Sequence, residues 1–166
     1  IDERGIQAAS GLTDPSAIGA LLARAKAAHV AASKPGRVVV GADQTLSLQG
    51  KLFSKPKCRA QAADQLRQLS GGTHELHSAI AVARDNDILF EHVSIARMTM
   101  RRLSDDFIER YLDAAGDAVT TSVGAYQLEG LGSHLFERID GDHFTILGLP
   151  LLPLLGFLRH ARLVAE

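Results

Sequence analysis

The first long apolar stripe of the chain predicts a helix from about Asp14 to Ser33. Asp14 and Pro15 form a typical helix start, because an aspartate caps free amide groups and a proline fits the first helical position. Apolar side chains then recur at intervals of three and four residues along one face. Lys26 lies on the border of this face, where a solvated lysine is the simplest interpretation.

A run of three valines, Val38 to Val40, predicts the first strand. Consecutive β-branched residues between chain breakers indicate a strand that is buried on both faces. We expect this strand to end at Asp43, and a carboxylate at the C-terminal end of a buried strand is often functional. An aspartate at such a place often caps the next turn instead. The residues alone leave both interpretations of Asp43 open.

Further alternations and caps predict the remaining elements. They are a hairpin turning at Gln49-Gly50, a helix over 59–69, a hairpin over 76–101, a helix capped by Ser104, an interrupted strand over 119–132, a hairpin about Asp140-Gly141 and a helix from Pro150. This order predicts a mixed α/β sheet with antiparallel pairs rather than a strict repeat of parallel units.

Composition and charge narrow the class of protein. The chain has 166 residues, which suits a single domain over 1–166, and 18 Lys and Arg against 19 Asp and Glu. Its net charge is −1, so the protein lacks the overall positive charge that would attract nucleic acid or an anionic membrane. The single cysteine, Cys58, permits no internal disulfide, which suits a reducing compartment. No apolar run reaches the length of a spanning helix.

The motifs of several large enzyme classes are missing from the sequence. It contains no P-loop, no dinucleotide-binding glycine motif after a strand and no GxSxG serine motif. His74 and His77 have the spacing of a metal pair. In a strand, however, an odd separation places two side chains on opposite faces.

A set of separated charges remains as the candidate chemistry, namely Glu3, Lys26, Asp43 and Lys55. Hydrolysis of a phosphoanhydride requires carboxylates that hold Mg²⁺ or Mn²⁺ and cations that neutralise the phosphates. These residue types would supply both. Scattered surface charge is the alternative interpretation.

Short motifs in a fixed order resemble the Maf family of nucleoside triphosphate pyrophosphatases. They cover essentially the whole chain and comprise Asp2-Glu3-Arg4, Ala25-Lys26-Ala27, Val40-Gly41-Ala42-Asp43, Lys55-Pro56, Leu66 to Gly71 with His74, Gly124-Ala125-Tyr126, Gly141-Asp142 and Gly148 to Leu151. Each fragment is weak by itself, whereas this many in family order are hard to obtain by chance.

The resemblance implies an elongated α/β fold similar to that of inosine triphosphate pyrophosphatase, with a long mixed β-sheet and a cleft between two lobes. It also implies hydrolysis between the α and β phosphates of a nucleoside triphosphate, with Mg²⁺ or Mn²⁺ as cofactor. Asp43 matches the general base, which activates water or holds the metal, and Glu3 matches a second metal ligand. Lys26 and Lys55 match lysines that contact phosphate.

Two features depart from the family pattern. The family begins with a strand and an S-x-S-P-R-R loop whose arginines are expected to grip the triphosphate, and this sequence does not contain that segment. In addition, Gln44 stands where many members have Thr, and Glu129 where many have Gln. This pair is similar to the branch that prefers 7-methyl-GTP, since a carboxylate would favour a purine made cationic by methylation. An exposed loop acid is the alternative for Glu129.

The leading hypothesis is a metal-dependent nucleotide pyrophosphatase, with a preference for dTTP or UTP as the alternative to 7-methyl-GTP. A nucleotide-binding regulator of cell division or septum formation with little turnover is the second hypothesis. A structural α/β interaction domain is the third. We expect a cytoplasmic protein that binds a nucleoside triphosphate but neither nucleic acid nor a membrane, and the apolar C-terminal helix suggests a homodimer.

Overall fold

The computed structural model describes residues 1–165. Over that range the chain forms α1 (Glu3–Ser10), α2 (Pro15–Ala32), β1 (Val38–Leu48), β2 (Lys51–Phe53), α3 (Arg59–Leu69), β3 (Thr73–Arg84), β4 (Asp87–Met100), α4 (Asp105–Ala115), α5 (Ala118–Thr121), β5 (Phe136–Asp140), α6 (His143–Ile146) and α7 (Leu151–His160). Two 3₁₀ turns, Val123–Ala125 and Leu131–Leu135, lie between α5 and β5. The predicted α/β class is therefore confirmed.

All five strands belong to one sheet, in the order β2-β1-β3-β4-β5. β1 pairs with β2 in antiparallel register, with Leu46 opposite Phe53. β4 pairs with β5 in the same sense, with Met98 opposite Ile139 and an irregularity near Met100. Helices connect the strand pairs, as the order of elements along the sequence predicts.

The chain divides into two compact units. The first contains residues 1–44, 77–95 and the segment from Asp142 onward, and the second contains Thr45–Leu76 and Ala96–Gly141. The first unit thus holds α1, α2, α6 and α7, and the second holds α3, α4 and α5.

Small side chains build one half of the first unit's core. A buried cluster consists of alanines of α2 and alternate alanines of β3, namely Ala23, Ala27, Ala31, Ala79, Ala81 and Ala83. The intervening β3 residues Ile80 and Val82 pack instead with Leu154 of α7. Because successive side chains of a strand point to opposite faces, β3 contributes to one cluster on each face of the sheet.

Gly41 is the point where β1 approaches α2 most tightly. A β-carbon placed on Gly41 would lie 2.3 Å from the Ala23 carbonyl oxygen and 2.6 Å from the Ala27 amide nitrogen. Real side chains do not tolerate such distances to backbone atoms, so only glycine permits this spacing of strand and helix. The small alanine side chains of α2 that face β1 also permit this close approach.

The second unit is anchored by buried aromatic groups around the 3₁₀ turns. His74 Nε2 lies 2.7 Å from the Tyr126 hydroxyl, and the Tyr111 hydroxyl donates to the Ala125 carbonyl at 3.0 Å. Burial lowers the pKa of His74 to about 4 and raises that of Tyr111 to about 12. These contacts fix Ala125 in a left-handed conformation, with φ at 63°.

The structure corrects the expected end of the first strand. β1 runs without interruption from Val38 to Leu48, so Asp43 lies in the middle of a strand and not at its end. The strand is also not buried on both faces, because Val40 is 42% exposed. Gly41, Ala42 and Asp43 have low strand propensity, and tertiary packing overrides that local preference.

One helix was not predicted, and two further expectations were wrong. The opening residues form α1, capped by the Asp2 side chain, which accepts from the Gly5 amide at 3.0 Å. The 119–132 region is a short helix followed by 3₁₀ turns instead of an interrupted strand. The hairpin about Asp140-Gly141 is replaced by β5 and α6, since the Asp142 side chain caps α6 by accepting from the Thr145 amide.

Other expectations are confirmed by the elements and their caps. α2 begins with Asp14, whose carboxylate accepts from the Ala17 amide at 2.7 Å, and α4 begins with Ser104 as cap. The turn between β1 and β2 falls at Gln49-Gly50, where both residues have positive φ. Over residues 1–165 the structure contains no helix that combines the length and the apolarity needed to cross a membrane.

Substituting Gly41 by alanine is expected to destabilise the protein by about 1–3 kcal/mol, because the new methyl group would force α2 away from β1. The measurement is the free energy of unfolding in urea. Gly156→Ala serves as the control, since a β-carbon at Gly156 meets nothing within 4 Å. That control should be neutral or stabilising by up to about 1 kcal/mol, because alanine is the better helix former. Equal stability of Gly41→Ala and the wild type would contradict the close approach.

Candidate active site

Three of the predicted site residues meet at one point of the first unit. The Lys26 ammonium donates to Asp43 Oδ1 at 2.6 Å and forms an ion pair with Glu3 Oε1 at 3.0 Å. These residues come from three different elements, α1, α2 and β1. The interpretation of Lys26 as a solvated lysine at the border of a helix face is therefore wrong.

Packing explains why these residues meet. Gly41 and Asp43 are two positions apart on β1 and therefore point to the same face, toward α2. Ala27 of α2 packs against Gly41, which brings the neighbouring residue Lys26 within reach of Asp43. α1 packs against α2, and the first turn of α1 carries Glu3. The close approach at Gly41 thus fixes the geometry of the charges.

The three charged side chains differ strongly in their exposure to solvent. The Asp43 side chain is 9% exposed, Lys26 is 29% exposed and Glu3 is 50% exposed. Burial lowers the pKa of Lys26, but hydrogen bonds and Coulombic attraction from Asp43 and Glu3 outweigh this effect and raise the pKa above its ordinary value of 10.5. Lys26 is therefore a cation at neutral pH and compensates the nearly buried carboxylate of Asp43.

Gln44 points to the opposite face of the sheet. Its amide nitrogen lies 2.8 Å from Ser78 Oγ, 3.1 Å from the Thr145 carbonyl and 3.0 Å from the Ile146 carbonyl. Carbonyl oxygens only accept hydrogen bonds, so they fix the nitrogen side of the amide toward α6. Ser78 in turn donates to the Thr145 carbonyl at 2.6 Å. Gln44 therefore ties β1 to α6, and its role in substrate preference stays a prediction.

Lys55 and Glu129 belong to the second unit, and both are exposed. Lys55 precedes the buried Pro56 in the extended segment between β2 and α3. Glu129 lies in a turn between the two 3₁₀ turns, as expected for a loop acid. Their assignments to phosphate contact and to base preference stay predictions.

The carboxylates of Glu3 and Asp43 suit a hard divalent cation. Among residues 1–165 no group of three or more His, Cys, Asp or Glu side chains is arranged to hold a metal ion. Mg²⁺, however, commonly binds through one or two carboxylates, water and substrate phosphates. The Lys26 ammonium already stands as a cation between the two carboxylates. The donor set therefore fits such an ion, provided that substrate and water complete its coordination.

Two features of the site were missed by reasoning from the sequence. Gly41 appeared only as part of a motif, although a glycine inside a valine-rich strand is a known signal of close backbone approach. The partners of Gln44 on β3 and α6 were also missed. The spacing of Asp142 and Thr145 is that of a helix cap, and it could have revealed α6.

Comparison with known proteins identifies the family of this chain and several of its relatives. The family described as Maf-like protein matches residues 1–161. A nucleoside triphosphate pyrophosphatase of Bradyrhizobium diazoefficiens is 69% identical over 165 residues, which cover 99% of this chain and 82% of that protein. One from Rhodopseudomonas palustris is 65% identical with the same coverage. A 7-methyl-GTP pyrophosphatase of Rhizobium etli is 53% identical over 161 residues, which cover 96% of this chain and 81% of that protein.

Replacing Lys26 by methionine is expected to destabilise the protein by about 1–3 kcal/mol, because the Asp43 carboxylate loses its cation in a nearly buried place. Adding Asp43→Asn to that variant should restore part of the loss, since the uncompensated charge is then removed. Urea unfolding at pH 7 measures both effects. Strictly additive losses would contradict the coupling of the two side chains.

The loss of stability in Lys26→Met is expected to depend on pH. Because folding raises the pKa of Lys26, its contribution to stability is complete below the ordinary pKa of 10.5 and is lost as the pH rises through the raised value. The difference in unfolding free energy between wild type and Lys26→Met should therefore be constant at neutral pH and shrink above pH 10.5. Arg24→Met is the control. Arg24 lies on the same helix as Lys26, but its side chain is 55% exposed and pairs with Glu91 of β4, so its loss should cost less than about 1 kcal/mol.

Proposed function

This chain belongs to the Maf-like protein family, and from that premise we propose that it is a nucleoside triphosphate pyrophosphatase. Its substrate is cleaved between the α and β phosphates, which releases a nucleoside monophosphate and pyrophosphate. The observation that carries the proposal is the convergence of Glu3, Lys26 and Asp43 on one point. Relatives that are 69% and 65% identical carry the name of this activity.

Asp43 is the best candidate for the general base. Its side chain is 9% exposed, and Lys26 holds one carboxylate oxygen at 2.6 Å. A fixed carboxylate can take the proton of a water molecule as that water attacks phosphorus, which is general base catalysis. Position and orientation supply much of the rate gain in such reactions, and the mid-strand location of Asp43 provides both.

Glu3 and Asp43 are the candidate ligands for a divalent cation. When bound, Mg²⁺ or Mn²⁺ would neutralise negative charge on the phosphates and assist the departure of pyrophosphate. Glu3 is the more exposed of the two carboxylates, so it can reorient toward an ion that arrives with the substrate. Asp43 is held by the strand and supplies the fixed point.

Lys26 and Lys55 are the candidate cations for the triphosphate. Lys26 is charged at neutral pH, since its neighbours raise its pKa. Lys55 is exposed and is followed by Pro56, which restricts the backbone of Lys55 to an extended conformation. A lysine acts on phosphate as a mobile point charge, and two of them would compensate part of the charge that develops on the leaving pyrophosphate.

Asp43→Asn is expected to lower kcat for pyrophosphate release by about 10²–10⁴, the usual cost of removing a general base. The assay follows pyrophosphate from nucleoside triphosphates in the presence of Mg²⁺ or Mn²⁺. Glu91→Gln is the matched control, because Glu91 is also a carboxylate of the first unit in an ion pair, with Arg24. That control should retain the wild-type rate.

Two outcomes would contradict the proposed enzyme. Nucleotide binding without release of pyrophosphate would favour the regulator of cell division, and no nucleotide binding at all would favour the interaction domain. A rate for Asp43→Asn within about twofold of the wild type would leave the hydrolysis in place but remove Asp43 as its base.

We propose that the preferred base is a purine and that 7-methyl-GTP is the favoured substrate. This finer proposal is supported by the 53% identical relative named for that activity and by Glu129 in the second unit. Methylation at N7 gives guanine a positive charge, which a nearby carboxylate would stabilise. A preference for dTTP or UTP is the competing possibility.

Glu129→Gln is expected to reduce kcat/KM for 7-methyl-GTP by about tenfold and to leave that for GTP nearly unchanged, because only the methylated base is cationic. The measurement is a panel of 7-methyl-GTP, GTP, dTTP and UTP with each protein. Glu137→Gln, which removes another exposed carboxylate of the second unit, should leave all four values unchanged. A tenfold advantage of dTTP or UTP over 7-methyl-GTP in the wild type would reject the purine preference.

A further inference from the structure

The two carboxylates of the site both contact one cation of the protein itself, the Lys26 ammonium. Lys26 Nζ lies 2.6 Å from Asp43 Oδ1 and 3.0 Å from Glu3 Oε1. Divalent cations bind carboxylate oxygens at about 2.0–2.6 Å. The ammonium therefore stands in the place that a metal ion bridging these two oxygens would occupy once the 50% exposed Glu3 side chain has moved closer.

Lys26 and a divalent ion cannot occupy this place together. An ammonium and a dication that share the same two oxygens would be in near contact, and their repulsion is large at such a distance even with solvent nearby. One cation must therefore leave before the other can contact Glu3 Oε1 and Asp43 Oδ1 together. The charge of the pair is compensated in either case, so the exchange leaves neither carboxylate without a cation.

The side chain free to leave is Lys26. It has a flexible four-carbon stem and is 29% exposed, so it can swing its ammonium into solvent. Asp43 cannot follow it, because the residue lies inside β1 and its side chain is 9% exposed. The carboxylate stays in place while its cation changes.

We propose that Lys26 holds the place between Glu3 Oε1 and Asp43 Oδ1 in the free protein, that a divalent metal ion bridging these two oxygens displaces it, and that its ammonium becomes available to phosphate after this exchange. The exchange itself follows from the geometry of the three side chains. The last step, delivery of Lys26 to phosphate, rests on the proposed pyrophosphatase function. Lys26 thus weakens metal binding in the free protein and couples it to the binding of phosphate.

The test is a titration of the protein with Mn²⁺ alone, followed by electron paramagnetic resonance, without nucleotide. Lys26→Met should bind Mn²⁺ at least tenfold more tightly than the wild type, because the competing charge is gone. Lys26→Arg keeps the charge and should bind as weakly as the wild type. Arg24→Met removes one positive charge from the same helix but from the exposed pair with Glu91, so it should leave the affinity unchanged.

Equal or weaker Mn²⁺ binding by Lys26→Met, or no binding by either protein, would overturn the proposal. The wild type provides a second readout that needs no folded variant. On saturation with Mg²⁺ the ¹⁵Nζ resonance of Lys26 should change to that of a solvated ammonium, while the resonance of the exposed Lys34 stays in place. A Lys26 ammonium still bound to carboxylate at saturation would also overturn it.

These measurements separate this inference from the proposed function. Tighter Mn²⁺ binding by Lys26→Met in a protein that hydrolyses no nucleotide would support the exchange and remove the delivery to phosphate. If the wild type hydrolyses nucleotide rapidly and binds Mn²⁺ with the same affinity as Lys26→Met, the proposed pyrophosphatase function stands and the proposed exchange is wrong.

Discussion

The contact between Gly41 of β1 and the backbone of α2 is the constraint on which the site depends. A β-carbon added to Gly41 would lie only 2.3 Å from the Ala23 carbonyl oxygen, so the strand and the helix can be this close only because residue 41 has no side chain. That spacing brings Lys26 within 2.6 Å of Asp43. A larger residue at position 41 would push α2 away from β1, which would loosen the alanine cluster of the core and separate the two charges together. The position of the charged side chains therefore depends on the distance between the two backbones as well as on their polar contacts.

In the proposed enzyme, the ion pair of Asp43 with Lys26 would serve both the stability of the fold and the reaction. An aspartate whose side chain is 9% exposed needs a cation for the fold to tolerate its charge, and the structure uses Lys26 for that purpose. A catalytic carboxylate needs the same partial burial, because exclusion of water strengthens its interactions with substrate. Apolar replacement of a buried ion pair is often neutral or stabilising for a fold, and here it would also remove the proposed general base. Such conflicts are common at functional sites.

Short sequence signals predicted correctly those features that depend only on neighbouring residues, such as the starts of helices. Two helix starts were predicted correctly, one at Asp14-Pro15 and one at Ser104. In each, the capping side chain accepts a hydrogen bond from an amide only three residues further along the chain. The end of β1 was not predicted correctly, because glycine and aspartate disfavour strands locally while the neighbouring strand and helix hold them in one. The ion pair of Glu3 with Lys26 was not predicted, because the sequence analysis grouped the two residues in one candidate site but assigned Glu3 to a metal ion and Lys26 to phosphate. Nothing in the spacing of α1 and α2 reveals which of several acids the lysine contacts.

Neighbouring positions on β1 face two separate compartments of the first unit. Asp43 is directed to the α2 face, and Gln44 ties the strand to α6 on the other face. The backbone of the strand insulates the two sides from each other. A substitution at position 44 therefore acts first on Ser78 and α6, whereas the neighbouring Asp43 keeps its contact with Lys26 on the other face. An insertion of one residue upstream in the strand would instead interchange the two side chains and destroy both arrangements at once.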